Sequence, residues 1–169
     1  TISAAISDLN TKGASAHVIF ELQNNYVSTS ETFPIVINFE GTPLTTITLR
    51  PRIDVPSTLT IAGNASSGTI LFDFVRADYF TFTGYPGGVT PTNSILIRNL
   101  YTASTAGANI RFRDDAMHNT INGLNIEGGF NANPCIHISG TVFSNGNDFT
   151  TIQNCLIRNR SDISTFPPN

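Results

Sequence analysis

The sequence Leu-Ile-Arg-Asn occurs twice, at 96–99 and at 156–159, and the related Asn-Ile-Glu-Gly lies between them at 125–128. The isoleucines of these three segments are spaced about 30 residues apart, a period that is typical of stacked structural units. We therefore predict that the chain is built from repeated coils and that the three segments occupy the same place in successive coils.

Two further families of short apolar segments recur at a similar spacing. One family is ILFD, IRFR and IHIS at 70–73, 110–113 and 136–139, and the other is FTF, NTI and TTI at 80–82, 119–121 and 150–152. Along the chain the three families follow one another in strict rotation, which is continued by the earlier segments 17–22, 33–39, 46–50 and 58–62. Three strands in every turn indicate a parallel β-helix, in which equivalent residues of adjacent coils stack in columns.

Side chains alternate between the two faces of a strand, so each column lies either inside or outside the coil. We predict three inward columns, formed by Ile61, Ile97, Ile126 and Ile157, by Phe72, Phe112 and Ile138, and by Leu49, Phe82, Ile121 and Ile152. A β-sandwich would need hairpin turns, whereas the connections here vary up to roughly a dozen residues and show no Asn-Gly periodicity. The predicted fold is an all-β parallel β-helix (a β-solenoid) with three strands per coil and about four to five coils.

One stretch near the start of the sequence is predicted to be a helix. Apolar residues recur there at the helical period and Gly13 follows them; they are Ile2, Ala5, Ile6 and Leu9. We expect this helix to cover the first coil, as terminal caps do in repeat proteins. The predicted organisation is a single domain over 1–169, with a capping helix at 1–12, coils at 17–159 and a tail at 160–169.

The composition excludes several classes of function. Charged residues make up 12% of the chain, the formal net charge is −3 and Lys12 is the only lysine, so nucleic acid is not an expected partner. No apolar run approaches the ~18 residues of a membrane span, and we expect no membrane insertion. Cys135 and Cys155 are too few for a zinc site, and we predict no cofactor. The start at Thr1, without an apolar signal region, is interpreted as that of a mature or excised product.

Several phrases of the sequence resemble a known kind of repeat. They are SETFPIVINFEG (30–41), ADYFTFTG (77–84), NTINGLNIEGG (119–129) and FTTIQNCLIRN (149–159). They are similar to right-handed parallel β-helix modules near the N-termini of large secreted or cell-surface proteins of Bacteroidota-type bacteria. The resemblance implies a right-handed coil and a secreted, extracellular or cell-surface setting, in which further coils and a C-terminal sorting domain usually follow. It implies no catalytic residues.

Many right-handed β-helices cleave polysaccharides, a reaction that needs clustered or facing carboxylates. The 12 acidic residues of this chain are scattered, and we assign no catalytic residue. The nearest candidate for a glycan site has one member in a neighbouring coil, His137, and consists otherwise of Arg111, Arg113, Asp114, Asp115 and His118. A simpler interpretation is a solvated turn in which Arg113 pairs with Asp73 of the adjacent coil.

Three outward features are also expected. Thr48, Thr81, Thr120 and Thr151 should stack on one face, as in ice-binding solenoids, but the adjacent column of Arg50, Thr83, Asn122 and Gln153 is too mixed for that function. Arg98, Glu127 and Arg158 should form an exposed ladder of alternating charge. Cys135 should face outward and Cys155 inward, both as free thiols.

The end of the repeat array carries the strongest functional hint, because an uncovered parallel strand offers unpaired N–H and C=O groups. Our first hypothesis is a non-enzymatic structural or adhesive module that self-associates head to tail into a fibre or stalk through Ile157, Ile163 and Phe166. The alternative is a carbohydrate-binding or polysaccharide-cleaving module cut from a larger secreted protein. In a longer chain, further coils would cover the same end.

Overall fold

The computed structural model describes residues 1–89, 92–103, 105–129, 134–140, 145–160 and 162. Its elements are one α-helix, α1 (Ile2–Lys12), two short 3-10 helices (Ser28–Ser30 and Pro86–Gly88), and the strands β1 (Val18–Leu22), β2 (Ile35–Ile37), β3 (Ile47–Pro51), β4 (Leu59–Gly63), β5 (Phe72–Val75), β6 (Phe80–Thr83), β7 (Ile95–Asn99), β8 (Ile110–Arg113), β9 (Thr120–Asn122), β10 (Asn125–Gly128), β11 (Ile136–Ile138), β12 (Thr151–Gln153) and β13 (Leu156–Asn159). Among the described residues, no helix combines the length and the apolarity needed to cross a membrane.

The strands form three sheets. The first sheet has the order β1-β3-β6-β9-β12, the second β4-β7-β10-β13 and the third β2-β5-β8-β11, and every pairing is parallel. From β2 onward the chain enters the three sheets in rotation. Before β2, the 3-10 helix Ser28–Ser30 stands beside the second sheet, since the Ser28 hydroxyl accepts a hydrogen bond from the Ala62 N–H at 3.1 Å.

This topology is consistent with a parallel β-helix or solenoid and confirms the predicted fold at that level. The right hand of the coil, the number of coils and the extent of the domain stay predictions. Two of the three inward columns are confirmed by the strand register: that of Ile61, Ile97, Ile126 and Ile157, and that of Leu49, Phe82, Ile121 and Ile152.

The predicted column in the third sheet is wrong by two residues at its first member. Phe72 pairs with Ile110, and it is Phe74 that pairs with Phe112 and, through it, with Ile138. A shift of two residues keeps every side chain on the same face, so the alternating pattern cannot detect it. Aromatic packing favours the observed register, because the Phe74 and Phe112 ring centroids lie 4.7 Å apart.

Asparagine amides lie in the interior where the chain turns between sheets. Asn99 donates to the Ala65 and Gly107 carbonyls at 2.9 Å, and its Oδ1 accepts from the Ala65 N–H at 3.0 Å. Asn119 likewise donates to the Ala77 carbonyl at 2.7 Å. These side chains satisfy backbone groups that strand pairing leaves over at the corners, where an unpaired buried group would be costly.

Helix α1 covers the outer edge of β2. Thr1 caps its first turn by accepting from the Ala4 N–H at 3.1 Å. Near its other end the Asn10 amide donates to the Val36 carbonyl at 2.8 Å and accepts from the Asn38 N–H at 3.3 Å. Asn10 therefore bonds the free edge of β2 as a neighbouring strand would, while the buried face of Ile2, Ile6 and Leu9 covers the core. The predicted helix is confirmed, and it lies along the outer edge of β2.

Candidate functional site

The cluster proposed as a glycan site is organised around Asp73 of β5. Arg111 holds the Asp73 carboxylate with two hydrogen bonds, Nε to Oδ1 at 2.9 Å and Nη2 to Oδ2 at 2.7 Å. Arg113 approaches the same carboxylate at 3.3 Å and also pairs with Asp114. The predicted partner of Asp73 is thus present, but Arg111 makes the closer contact because the register sets it directly opposite.

The Asp73 carboxylate is a poor candidate for a general acid or base. Burial alone would raise its pKa, but the hydrogen bonds and charges of Arg111 and Arg113 outweigh burial and hold that pKa below its ordinary value. A carboxylate that stays ionised and paired with two guanidinium groups is not available for proton transfer at neutral pH. The arrangement stabilises the fold and neutralises both arginines.

The remaining members of the proposed glycan site make other contacts. Asp115 accepts from the Gly146 N–H at 2.9 Å and so holds a turn. His118 is stacked between the rings of Tyr79 and Phe149, with centroid distances of 4.6 Å on both sides. His137 is exposed on β11 and pairs in register with Arg111, as predicted. Within the described ranges, no three His, Cys, Asp or Glu side chains are placed to hold a metal ion.

A cavity of about 490 Å³ lies beside Arg111 and His137. The remaining lining includes hydroxyl groups and turn residues, among them Thr69, Thr105 and Pro134. Hydroxyls, an imidazole and one edge of a guanidinium group are the kind of surface that hydrogen-bonds sugars. This cavity is the part of the proposed glycan site that the structure brings together.

A second carboxylate between two arginines lies on the second sheet. Arg98 Nε contacts Glu127 Oε2 at 2.7 Å, and Arg158 Nη2 contacts Glu127 Oε1 at 2.7 Å. The predicted ladder is confirmed, but its expected exposure is wrong, because Glu127 is only 2% exposed. The two arginines cover the carboxylate from the coils on either side, so the pair energies of exposed salt bridges do not apply.

In the last strand of each sheet, inward-facing side chains are exposed to solvent. We call β11, β12 and β13 together the C-terminal edge. Their inward side chains are exposed, Ile138 by 57%, Ile152 by 38% and Ile157 by 46%, whereas their register partners one coil earlier, Phe112, Ile121 and Ile126, are fully buried. Ile157, one predicted assembly residue, therefore belongs to an exposed apolar edge, while Ile163 and Phe166 lie outside the described residues.

At the opposite end of the solenoid, a groove of about 450 Å³ runs between α1 and β1. Its lining includes the exposed side chains of Ile19 and Val27 and the half-buried ring of Phe20. Among the described residues, β1 pairs with β3 alone, so its other side is an open strand edge.

Sequence reasoning missed the aromatic stack of Tyr79, His118 and Phe149. All three have left-handed backbone with φ of 54° to 55° and stand one residue before a first-sheet position. The signal was available, because each precedes a segment of the same repeat family. An aromatic residue at that corner was unexpected, since left-handed φ is uncommon for residues other than glycine.

The cysteines differ from their predicted placement. Cys135 and Cys155 are both free, as expected, but both are half-buried, instead of one exposed and one buried. Burial raises the pKa of both thiols, which makes them poor nucleophiles. The Thr48, Thr81, Thr120 and Thr151 column and its mixed neighbour are confirmed by the register.

No protein family, curated protein or solved structure matches the chain.

Proposed function

We propose that the chain is a non-enzymatic, extracellular β-solenoid module that joins copies of itself head to tail into a fibre or stalk. The observation that carries this proposal is the exposure of Ile138, Ile152 and Ile157 at the C-terminal edge. Apolar side chains that are exposed here, although their register partners one coil earlier belong to the core, are typical of an interaction surface.

The open strand edges of the first sheet support a head-to-tail association that repeats from one copy of the chain to the next. β1 and β12 each have one strand neighbour among the described residues, and they lie at opposite ends of the same parallel sheet. Contact between two different surfaces of identical subunits repeats without closing, unless the rotation closes a ring. Parallel pairing at such edges uses backbone groups that already have the correct spacing.

The proposal also includes three finer features of the fold and its setting. They are a right-handed coil, about four to five turns, and the secreted or cell-surface setting of the β-helix modules that this sequence resembles. The low charged fraction of 12% and the Thr- and Asn-containing outer faces are compatible with a structural surface. The pairing of Asp73 with two arginines supports the non-enzymatic part, because a carboxylate held by two guanidinium groups is not free for proton transfer.

The second candidate is carbohydrate binding, which is favoured by the cavity beside Arg111 and His137. It predicts a monomer that is retained on immobilised acidic glycan and released by His137→Ala. That substitution changes an exposed side chain, so folding should be preserved.

Negative-stain microscopy and sedimentation velocity of the 169-residue chain test the proposal. Wild type should form uniform filaments, and Ile152→Asp combined with Ile157→Asp should give folded monomers with unchanged β-type circular dichroism. Leu100→Asp is the matched control, since Leu100 is 40% exposed but lies outside the C-terminal edge. Its filaments should persist. A wild-type chain that stays monomeric at high concentration, or a double variant that still forms filaments, would overturn the proposal.

A further inference from the structure

We infer that the subunits join in a single register, in which β12 of one copy pairs in parallel with β1 of the next and Phe149 stacks on His17. This inference rests on the proposed function and specifies its contact. It follows from which strand edges are open and from a column of side chains along one corner of the first sheet.

The first sheet is the one sheet with an open strand at both ends in the part of the chain described. At the N-terminal end of the third sheet, α1 covers β2 through Asn10. At the corresponding end of the second sheet, Ser28–Ser30 lies beside β4, with Ser28 bonded to the Ala62 N–H. Strand pairing between copies is therefore restricted to β12 and β1.

A column of side chains runs along the corner that precedes the first sheet. The register places His17, Thr46, Tyr79, His118 and Phe149 at equivalent positions, each one residue before a first-sheet position. Consecutive members touch at three of the four steps: His17 Nδ1 lies 2.7 Å from Thr46 Oγ1, and the rings of Tyr79, His118 and Phe149 stack.

Both ends of this column are exposed aromatic rings. Phe149 is 72% exposed, and it stacks on His118 with an interplanar angle of 3°. His17 is exposed beside Thr46. The ring spacing of 4.6 Å is close to the ~4.8 Å between neighbouring strands, so one further strand step places a new ring directly on Phe149. In a second copy of the chain that ring is His17.

The neighbouring columns match in the same register. Thr151 meets Ile19 on the outer face, Ile152 meets Phe20 on the inner face, and the Gln153 amide can donate to the Glu21 carboxylate. A slip of two residues would keep the faces but place Gln153 against Ile19 and leave Phe149 without a ring to stack on. The aromatic column therefore selects one register among those that the alternating pattern allows.

Engineered disulfides test the register. In a background with Cys135→Ala and Cys155→Ala, the matched pair is Ile19→Cys with Thr151→Cys, and the control shifted by two residues is Ile19→Cys with Gln153→Cys. All three positions are exposed. Four strand steps of ~4.8 Å separate β1 from β12, which is too far for a bond within one chain. Mild oxidation should convert the matched pair into a ladder of covalent oligomers at least about tenfold faster than the control.

The outcomes separate this inference from the proposed function. Filaments whose control pair links as fast as the matched pair would overturn the register and leave head-to-tail assembly standing. Absence of filaments in wild type would overturn both. As a second readout, Phe149→Ala should raise the critical concentration for assembly at least about fivefold, whereas Phe149→Tyr should preserve it, because only the ring is needed. An unchanged critical concentration in Phe149→Ala would also overturn the stack.

Discussion

The two ends of the solenoid differ in how their terminal strands are covered. At the N-terminal end, α1 lies over β2, Asn10 bonds the strand edge, and Glu31 binds the start of the helix. At the C-terminal edge, the described residues leave Ile138 and Ile157 about half exposed. The inward isoleucines of β2, Ile35 and Ile37, are buried, so the difference from Ile138 and Ile157 lies in what covers them.

This comparison shows that a core position in a solenoid is defined by its neighbours along the column. Ile126 and Ile157 have the same residue type, strand position and inward direction, yet one is fully buried and the other is 46% exposed. Each coil supplies half of the environment of the next coil. Stability is therefore approximately a sum of contacts between adjacent coils.

The largest effect is expected from charging the middle of that column. Ile126→Asp should destabilise the fold by about 5 kcal/mol or more, because the carboxyl is buried without a partner and the packing of the isoleucine is lost. Ile157→Asp should cost at most about 1–2 kcal/mol, since that side chain keeps access to water. Urea unfolding followed by circular dichroism measures both values under monomeric conditions. Equal losses would contradict the difference between interior and edge.

The buried Glu127 gives the next largest effect. Glu127→Lys should destabilise by about 3–5 kcal/mol, because it leaves Arg98 and Arg158 facing a third positive charge. Since the carboxylate is buried, the loss should change little between low and high salt. Arg158→Ala should cost less than Arg98→Ala, because the Arg158 side chain is 52% exposed on the outermost strand and Glu127 keeps Arg98 as a partner. Thermal melts at two salt concentrations test this order, and a loss from Glu127→Lys that salt largely removes would contradict it.

The smallest effect is expected at the N-terminal end, where Glu31 accepts from the N–H groups of Ile2 and Ser3 at 2.6 and 2.8 Å. Burial alone would raise the pKa of Glu31, but the hydrogen bonds from Ser3 and Ile2 together lower that pKa by a larger amount. The net pKa therefore lies below its ordinary value. Glu31→Gln should therefore cost about 1 kcal/mol at neutral pH. The stability that the carboxylate supplies is complete above pH of about 4.3 and is lost as pH falls through the lower folded pKa.

The gap between wild type and Glu31→Gln should accordingly close as pH falls below about 4. Denaturant titrations between neutral pH and about pH 3 measure it. Asp8→Ala is the matched control on the same helix, since Asp8 pairs with Lys12 in an exposed contact. That pair should contribute less than about 0.5 kcal/mol. A gap that stays constant with pH would exclude the Glu31 carboxylate as the group that holds the helix.

Periodicity in the sequence predicted much of this architecture. The rotation of three segment families gave the three parallel sheets, and the alternation of Ile and polar residues gave the column of Ile97, Ile126 and Ile157. The helical spacing of Ile2, Ile6 and Leu9 placed α1. These features depend on local period and on repetition, both of which are properties of the chain itself.

The tertiary structure alone decided the register of the third sheet, the exposure of individual side chains and the stacking of aromatic rings. In the structure, Phe74 lies opposite Phe112, and Glu127 is buried between two arginines. The rings of Tyr79, His118 and Phe149 form one aromatic stack. A period of two residues is unchanged by a slip of two, so register had to be settled by ring packing and charge pairing between coils. The burial of a side chain depends on its register partners in the two adjacent strands of the sheet, and those partners are about 30 residues away in the chain.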